Sequence, residues 1–281
     1  MDKWGDKPYH SLDYENKKRF GEKVYKISLA GGTTCPNRDG TLGTRGCCFC
    51  SGSGSGDFAA TKGSITEQIE EAIARVSRYK NAGHHFTAYF QSFTATYAPV
   101  ETLRAAWEEA MAHESVATLA IATRPDCLGD DVLSLLADCC RKMPVTVELG
   151  LQTIHPDTIR YIRRGYPNSV YETAVKNLKN IGVNVVTHVI AGLPGETKEN
   201  FLDTVRYVAD IGSDGIKLQL LHVLKGTDLA LDYENKMFRT LTPDEYLDYI
   251  TEALSILPPD MVIHRVTGDG PKDLLIAPLW S

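Results

Sequence analysis

From residue 64 onward the chain alternates between two kinds of segment, and this rhythm restricts the fold more than any other feature. Apolar positions three and four apart mark helices at 64–81, 100–113, 129–141, 156–164, 169–181, 197–211 and 243–256. Between them lie short β-rich runs: HFTAYFQ (85–91), ATLAIAT (117–123), VTVELGL (145–151), VNVVTHVIAG (183–192) and GIKLQLLHV (215–223). A further run, KVYKISLA (23–30), precedes them. Near-continuous apolar strands separated by helices of about ten or more residues indicate a parallel sheet with crossover helices. Ser64 with Glu67 and Thr197 with Asn200 form capping-box patterns. Gly182 and Gly212 fall just past helix ends, where a left-handed residue is wanted. About six βα units in line predict an α/β barrel or partial barrel rather than a doubly wound sheet, and leave its closure open. In such folds the loops at the C-terminal strand ends build the site.

Charge and cysteine usage narrow the class. The net charge of −6 argues against indiscriminate nucleic-acid binding. Two basic clusters stand out, Lys17, Lys18, Arg19, Lys23 and Lys26, and Arg160, Arg163 and Arg164. Each reads equally well as a solvated helix face. The start, MDKWGDKPYH, lacks the basic and apolar regions of a signal peptide, and no apolar run approaches the ~20 residues that span a bilayer. Seven cysteines, odd in number and crowded, suit a reducing compartment. The expectation is a cytoplasmic protein with no membrane partner.

Four of those cysteines fall in CPNRDGTLGTRGCCFC (35–50). Cys47 and Cys50 form a Cys-x-x-Cys pair, which alone fits half a zinc site, a redox dithiol or part of an iron–sulfur cluster. Zinc would need a second pair at similar spacing. Cys139 and Cys140 are adjacent on a predicted helix, so their side chains diverge by about 100°; with Cys127 they read as core residues. A thioredoxin-like dithiol would open a helix after a strand, whereas this pair follows a Gly-rich loop and a third cysteine, Cys35. Three thiolates on one irregular loop could hold three irons of a [4Fe–4S] cluster and leave the fourth open. Phe49 would then shield one side and Cys48 would point away. The following SGSGSGDF (51–58) has linker composition, but its place beside Cys50 predicts close backbone approach to a bound group.

With this loop in hand, the chain resembles the radical S-adenosylmethionine (SAM) superfamily, and more narrowly its YhcC/YtqA-type members, relatives of the elongator catalytic subunit. The resemblance continues through YFQSFTATYAP (89–99), IATRPDCL (121–128), VELGLQT (147–153), RRGY (163–166), THVIAGLPGET (187–197) and KLQLLHVLKGT (217–227), nearly the whole chain. It implies a partial TIM-type (β/α)6 barrel with N- and C-terminal extensions, in one radical SAM domain over 1–281. Within it, 1–22 is an extension, 23–63 the first strand and cluster loop, 64–228 the main repeats and 229–281 a C-terminal extension. Relatives usually run on for some tens of residues past LLIAPLWS, and they usually carry a small hydroxyl residue where Cys48 stands.

The resemblance further implies a [4Fe–4S] cluster on Cys35, Cys47 and Cys50, whose open iron binds SAM and reductively cleaves it to a 5′-deoxyadenosyl radical. In such enzymes the cofactor carries the hard chemistry and the protein orients it. The positions matching SAM contacts are Phe49, Gln91, Ser92, Thr94, Glu148, Gln152, Arg164, His188 and Ile190. Arg164 would meet the SAM carboxylate, for which a guanidinium fork is suited. Gly192, inside a strand pattern, would let a ligand approach. Lys217, His222 and Tyr97 are the candidate substrate-facing catalytic groups. Kinship with the elongator subunit implies tRNA as substrate and maturation of a 5-aminomethyl-type side chain on wobble uridine. A flavodoxin or ferredoxin would supply the electron. A small-molecule or peptide substrate is the competing enzyme reading. An iron–sulfur carrier or zinc module is the non-enzyme one, and neither carrier nor module would need the SAM residues.

Overall fold

The computed structural model describes residues 4–54, 56–57, 59, 63–268 and 270–281. In chain order the first half runs α1 (Leu12–Phe20), β1 (Tyr25–Leu29), α2 (Ile65–Tyr79), β2 (Phe86–Phe90), α3 (Val100–Ala112), β3 (Val116–Thr123), α4 (Asp130–Cys140) and β4 (Val145–Gln152). The second half runs α5 (Pro156–Tyr161), α6 (Asn168–Asn180), β5 (Asn184–Ala191), α7 (Lys198–Asp210), β6 (Gly215–Leu220), β7 (Val223–Leu224), α8 (Asp228–Glu234), α9 (Pro243–Ile256), β8 (Val262–Arg265) and β9 (Leu275–Ala277).

Seven strands pair in parallel in the order β1-β2-β3-β4-β5-β6-β8. Among the described residues β1 and β8 do not pair with each other, so the sheet is a partial TIM-type barrel of the α/β class. The six predicted strands are present, and β8 adds a seventh from the C-terminal extension. The predicted run 215–223 breaks after Leu220; its end forms β7, which pairs antiparallel with β9. The extension 1–22 contains α1, and Ser11 bridges to Ile263 of β8 while Ile263 N–H donates to His10 O (2.7 Å). Both capping boxes form at Ser64 and Thr197, and a third forms at Thr242. Gly182 (φ 84°) and Gly212 (φ 82°) end their helices in the left-handed region.

Strand alternation explains how one sheet makes both a core and a chamber. Outward residues such as Ile27, Phe90, Leu119, Val147, Val185 and Leu218 pack on Trp107, Leu135, Tyr171 and Phe201 of the surrounding helices. Each such buried side chain contributes about 1.5–3 kcal/mol. The intervening positions face inward and many are polar, including Ser28, Tyr89, Glu148, His188, Lys217 and Gln219. A smaller core at the rim gathers Cys48, Ile162, Leu193, Leu221 and Leu229. Among the described residues no helix is long and apolar enough to cross a membrane.

Candidate active site

Cys35, Cys47 and Cys50 all line one cavity of about 860 Å³ inside the barrel, within the size range of small-molecule sites. The loop that carries them starts after β1 and is folded by its own hydrogen bonds. Arg38 N–H donates to Cys35 O (2.8 Å), Leu42 N–H to Pro36 O (2.8 Å) and Gly46 N–H to Asn37 O (2.7 Å). Gly46 needs φ 75°, and a Cβ there would meet the Arg38 guanidinium at 2.9 Å. Arg38 Nη2 in turn donates to Ser51 O (2.5 Å) and Cys50 O (3.3 Å), closing the loop on itself. Cys48 is buried in the rim core, its N–H donating to Ile162 O (3.3 Å).

The thiols differ electrostatically. A hydrogen bond from Cys50 outweighs burial and, with Asn37, Arg124 and Arg163, pulls Cys47 down to about 6. Asn37 Nδ2 lies 3.5 Å from Cys47 Sγ and donates to Arg163 O (2.7 Å). Burial, reinforced by the Cys47 charge, pushes Cys48 up to about 12. Thiolates are the metal-binding form. Among the described residues no three His, Cys, Asp or Glu side chains converge on one metal ion. Lining one cavity wall together, the three thiols suit a multi-iron cluster, whose ligands bind separate irons. For SAM, the fitting observation is Gln152. It lines the cavity in the left-handed region (φ 69°), and its Oε1 is buried without a partner among the described residues. With these cofactors bound, the chemistry supplied is one-electron reductive cleavage of SAM. The chain's own share is to hold the groups and wall out water.

Phe49, Gln91, Thr94, His188 and Ile190 line the same cavity, as do Lys217 and His222. Gln91 Nε2 donates to Ser28 Oγ (3.1 Å). His222 Nε2 sits 2.9 Å from Ser281 Oγ. Two candidates stand off the wall: Ser92 is buried with its carbonyl accepting from Thr33 (3.1 Å), and Tyr97 OH pairs with Thr41 Oγ1 (2.9 Å) on the cysteine loop. Gly192 adopts φ 84° and backs onto the Leu241 side chain (3.0 Å to an added Cβ), so turn geometry rather than a ligand explains it. Ser55 and Phe58 of SGSGSGDF lie outside the described residues. Gly54 in that stretch approaches Phe93, whose ring would stand 2.8 Å from an added Cβ.

For Arg164, Glu148 and the basic clusters the structure adds partners that the sequence did not show. Arg164 is only 2% exposed. Its N–H groups go to Tyr166 O (2.7 and 3.1 Å), Leu151 O (3.1 Å), Thr153 O (2.6 Å) and Asn168 Oδ1 (2.8 Å). A SAM carboxylate would have to displace one of these, so the guanidinium first holds the turn after β4. Arg164→Ala would strand buried carbonyls and is expected to cost about 3 kcal/mol or more in urea unfolding. A change below about 1 kcal/mol would contradict this structural role.

Glu148 lines the cavity too, with its carboxylate already engaged by the chain's own groups. Its fully buried carboxylate receives Lys26 and Lys217 ammonium groups, Tyr89 OH (2.6 Å) and His188 Nε2 (2.9 Å). Burial opposes ionisation, but the Lys217 and Lys26 charges overcome it and hold Glu148 well below the usual carboxylate range. Burial pushes Lys217 down to about 7, although Glu148 opposes this. Burial and Lys217 bring His188 to about 4, so it is neutral. As a carboxylate only accepts, His188 Nε2 carries the proton and Nδ1 faces Gln219 Nε2 (3.3 Å) as acceptor.

Neither basic cluster is a uniform solvated face. Lys26 points into the barrel, Arg163 pairs with Asp228 (2.5 Å), and Arg160 pairs with Asp157 at the surface. Sequence reading also missed Arg124, which forks onto Asp126 (2.9 and 2.7 Å) and stands over the Tyr166 ring (5.0 Å) at the cavity wall.

Comparison with known families agrees with this geometry. The radical SAM superfamily model matches residues 20–208, and the radical SAM C-terminal domain model matches 213–281. The chain belongs to the radical SAM superfamily. It is 43% identical to YtqA of Bacillus subtilis (98% of this chain, 86% of the relative) and 38% identical to YhcC of Escherichia coli (94% and 84%), which makes it a YhcC/YtqA-type member. A tRNA uridine(34) acetyltransferase of Methanocaldococcus jannaschii is 28% identical over 60% of this chain and 31% of that protein. Among solved structures, archaeal Elp3 of Methanocaldococcus infernus superposes with a TM-score of 0.68 at 19% identity, over 90% of this chain and 58% of that one, a likeness of fold. The cofactors of this radical SAM protein are a [4Fe–4S] cluster and SAM.

Proposed function

We propose that this radical SAM enzyme modifies the C5 side chain of wobble uridine in tRNA, finishing a 5-aminomethyl-type group that other enzymes begin. The supporting observation is the similarity, across more than half of the chain, to a protein whose name places its activity on tRNA uridine 34. A chamber of about 860 Å³ has room for a base as well as SAM. A flavodoxin- or ferredoxin-type donor supplies the electron in this reading.

Mass spectrometry of tRNA nucleosides from cells with and without the gene tests it. Loss of one modified wobble uridine and accumulation of its precursor is the expected result. An unchanged profile discards tRNA and moves the search to metabolites and peptides. Binding of tRNA to the purified protein should also weaken about tenfold or more between about 50 and 200 mM salt, since phosphate contacts release counterions. Salt-independent binding would contradict the proposal.

A further inference from the structure

The middle of the barrel gathers two lysines around a single carboxylate. Two ammonium groups, Lys26 and Lys217, share the single carboxylate of Glu148, and both stand 4.8 Å from the centre of the Tyr89 ring. Lys217 and Glu148 are buried; with Lys217 drawn down to about 7 by burial, two ammonium groups face one carboxylate below that pH. Among the described residues neither lysine has a second carboxylate within ion-pair distance. His188 and His264 are kept neutral by burial and the neighbouring cations, and burial holds Tyr89 protonated. Buried charges are ordinarily paired. A second observation points the same way: His264 lines this cavity, and its buried Nδ1 has no partner among the described residues.

We propose that Lys26 and Lys217 form a subsite for an anionic group of the substrate, a carboxylate or a phosphate, with His264 Nδ1 as an additional donor. The proposal rests on the cavity being the reaction chamber of the function proposed above. The subsite lies deeper in the chamber than Gln152. Glu148 lies four residues before Gln152 on the same strand, about 13 Å deeper at the strand rise.

The test uses calorimetric titration of the purified chain with inorganic phosphate and with acetate, ionic strength being fixed with sodium chloride. Saturable binding is expected, weakened about tenfold or more in Lys217→Met and in Lys26→Met and preserved in Lys217→Arg, as loss of a charged donor requires. Each methionine variant retains one ammonium for Glu148, and two independent variants guard against misfolding of either. Tighter acetate binding names a carboxylate, and tighter phosphate binding a phosphate. Binding unchanged in both methionine variants, or no binding beyond that of chloride, overturns the subsite. The nucleoside measurement is independent. Anion binding with an unchanged nucleoside profile removes only the tRNA reading, and a changed profile without anion binding removes only the subsite.

Discussion

Alanine at Cys35, Cys47 or Cys50 is expected to abolish iron loading and SAM cleavage, each alone, because all three thiols open onto the one cavity. Cluster irons are held by thiolates, and loss of one leaves an iron without its protein ligand. Cys48→Ala should load iron as wild type, because Cys48 is packed into the rim core with Ile162 and Leu229 and burial keeps its thiol protonated. It should cost only about 1 kcal/mol of stability, the usual scale of a small core truncation. Iron content and absorbance after anaerobic reconstitution decide the matter. A Cys48→Ala protein without iron, or a Cys35→Ala protein with a full complement, would reverse the ligand assignment.

Glu148→Ala is expected to be the most destabilising single change in the barrel interior, at about 3–5 kcal/mol, because it strands two buried or half-buried ammonium groups. Urea unfolding measures it. Replacing Lys26, Glu148 and Lys217 together with methionine should recover much of the loss, and failure to do so would show that packing rather than charge dominates. The pH dependence has a definite sign. Glu148 is held well below its unfolded value of about 4.3, so its contribution is present above that value and is lost as pH falls through the folded one. Lys217, at about 7 in the folded chain, is charged in both states below that pH and carries its burial penalty there. The penalty is relieved as pH rises from about 7 towards the unfolded value of about 10.4, so its share of stability increases across that window. In Lys217→Met this gain should vanish.

Much of this was visible in the sequence for a physical reason. Strand residues such as Ile27, Phe90 and Leu119 and helix residues such as Trp107 and Leu135 pack at fixed periods, so local pattern reports the layer they join. The helix α1 escaped notice because none of its residues is fully buried and its pattern has no apolar stripe. The strand β8 escaped because four residues give too short a repeat. A usable signal lay in the strands themselves. Within runs read as almost wholly apolar, polar residues recur at every second position, as in Lys26-x-Ser28, Glu148-x-Gly150-x-Gln152 and Lys217-x-Gln219. That period marks an interior polar face.

Lys26 shows where sequence reading stops. Its neighbours Lys17, Lys18, Arg19 and Lys23 made it one of a basic run, yet its strand position turns it inward to Glu148, 122 residues away. Arg164 shows the converse. Its motif suggested a ligand, whereas four backbone and side-chain acceptors brought round by the turn after β4 occupy its guanidinium. The sequence by itself determined the βα rhythm and the three-cysteine loop, because these depend on local periodicity and short spacing, whereas the partial barrel came from the family resemblance. Only the tertiary structure decided which charged side chains meet. Closing seven strands around one chamber brings together groups from β1, β2, β4, β5 and β6, and at that distance along the chain no local pattern encodes a partner.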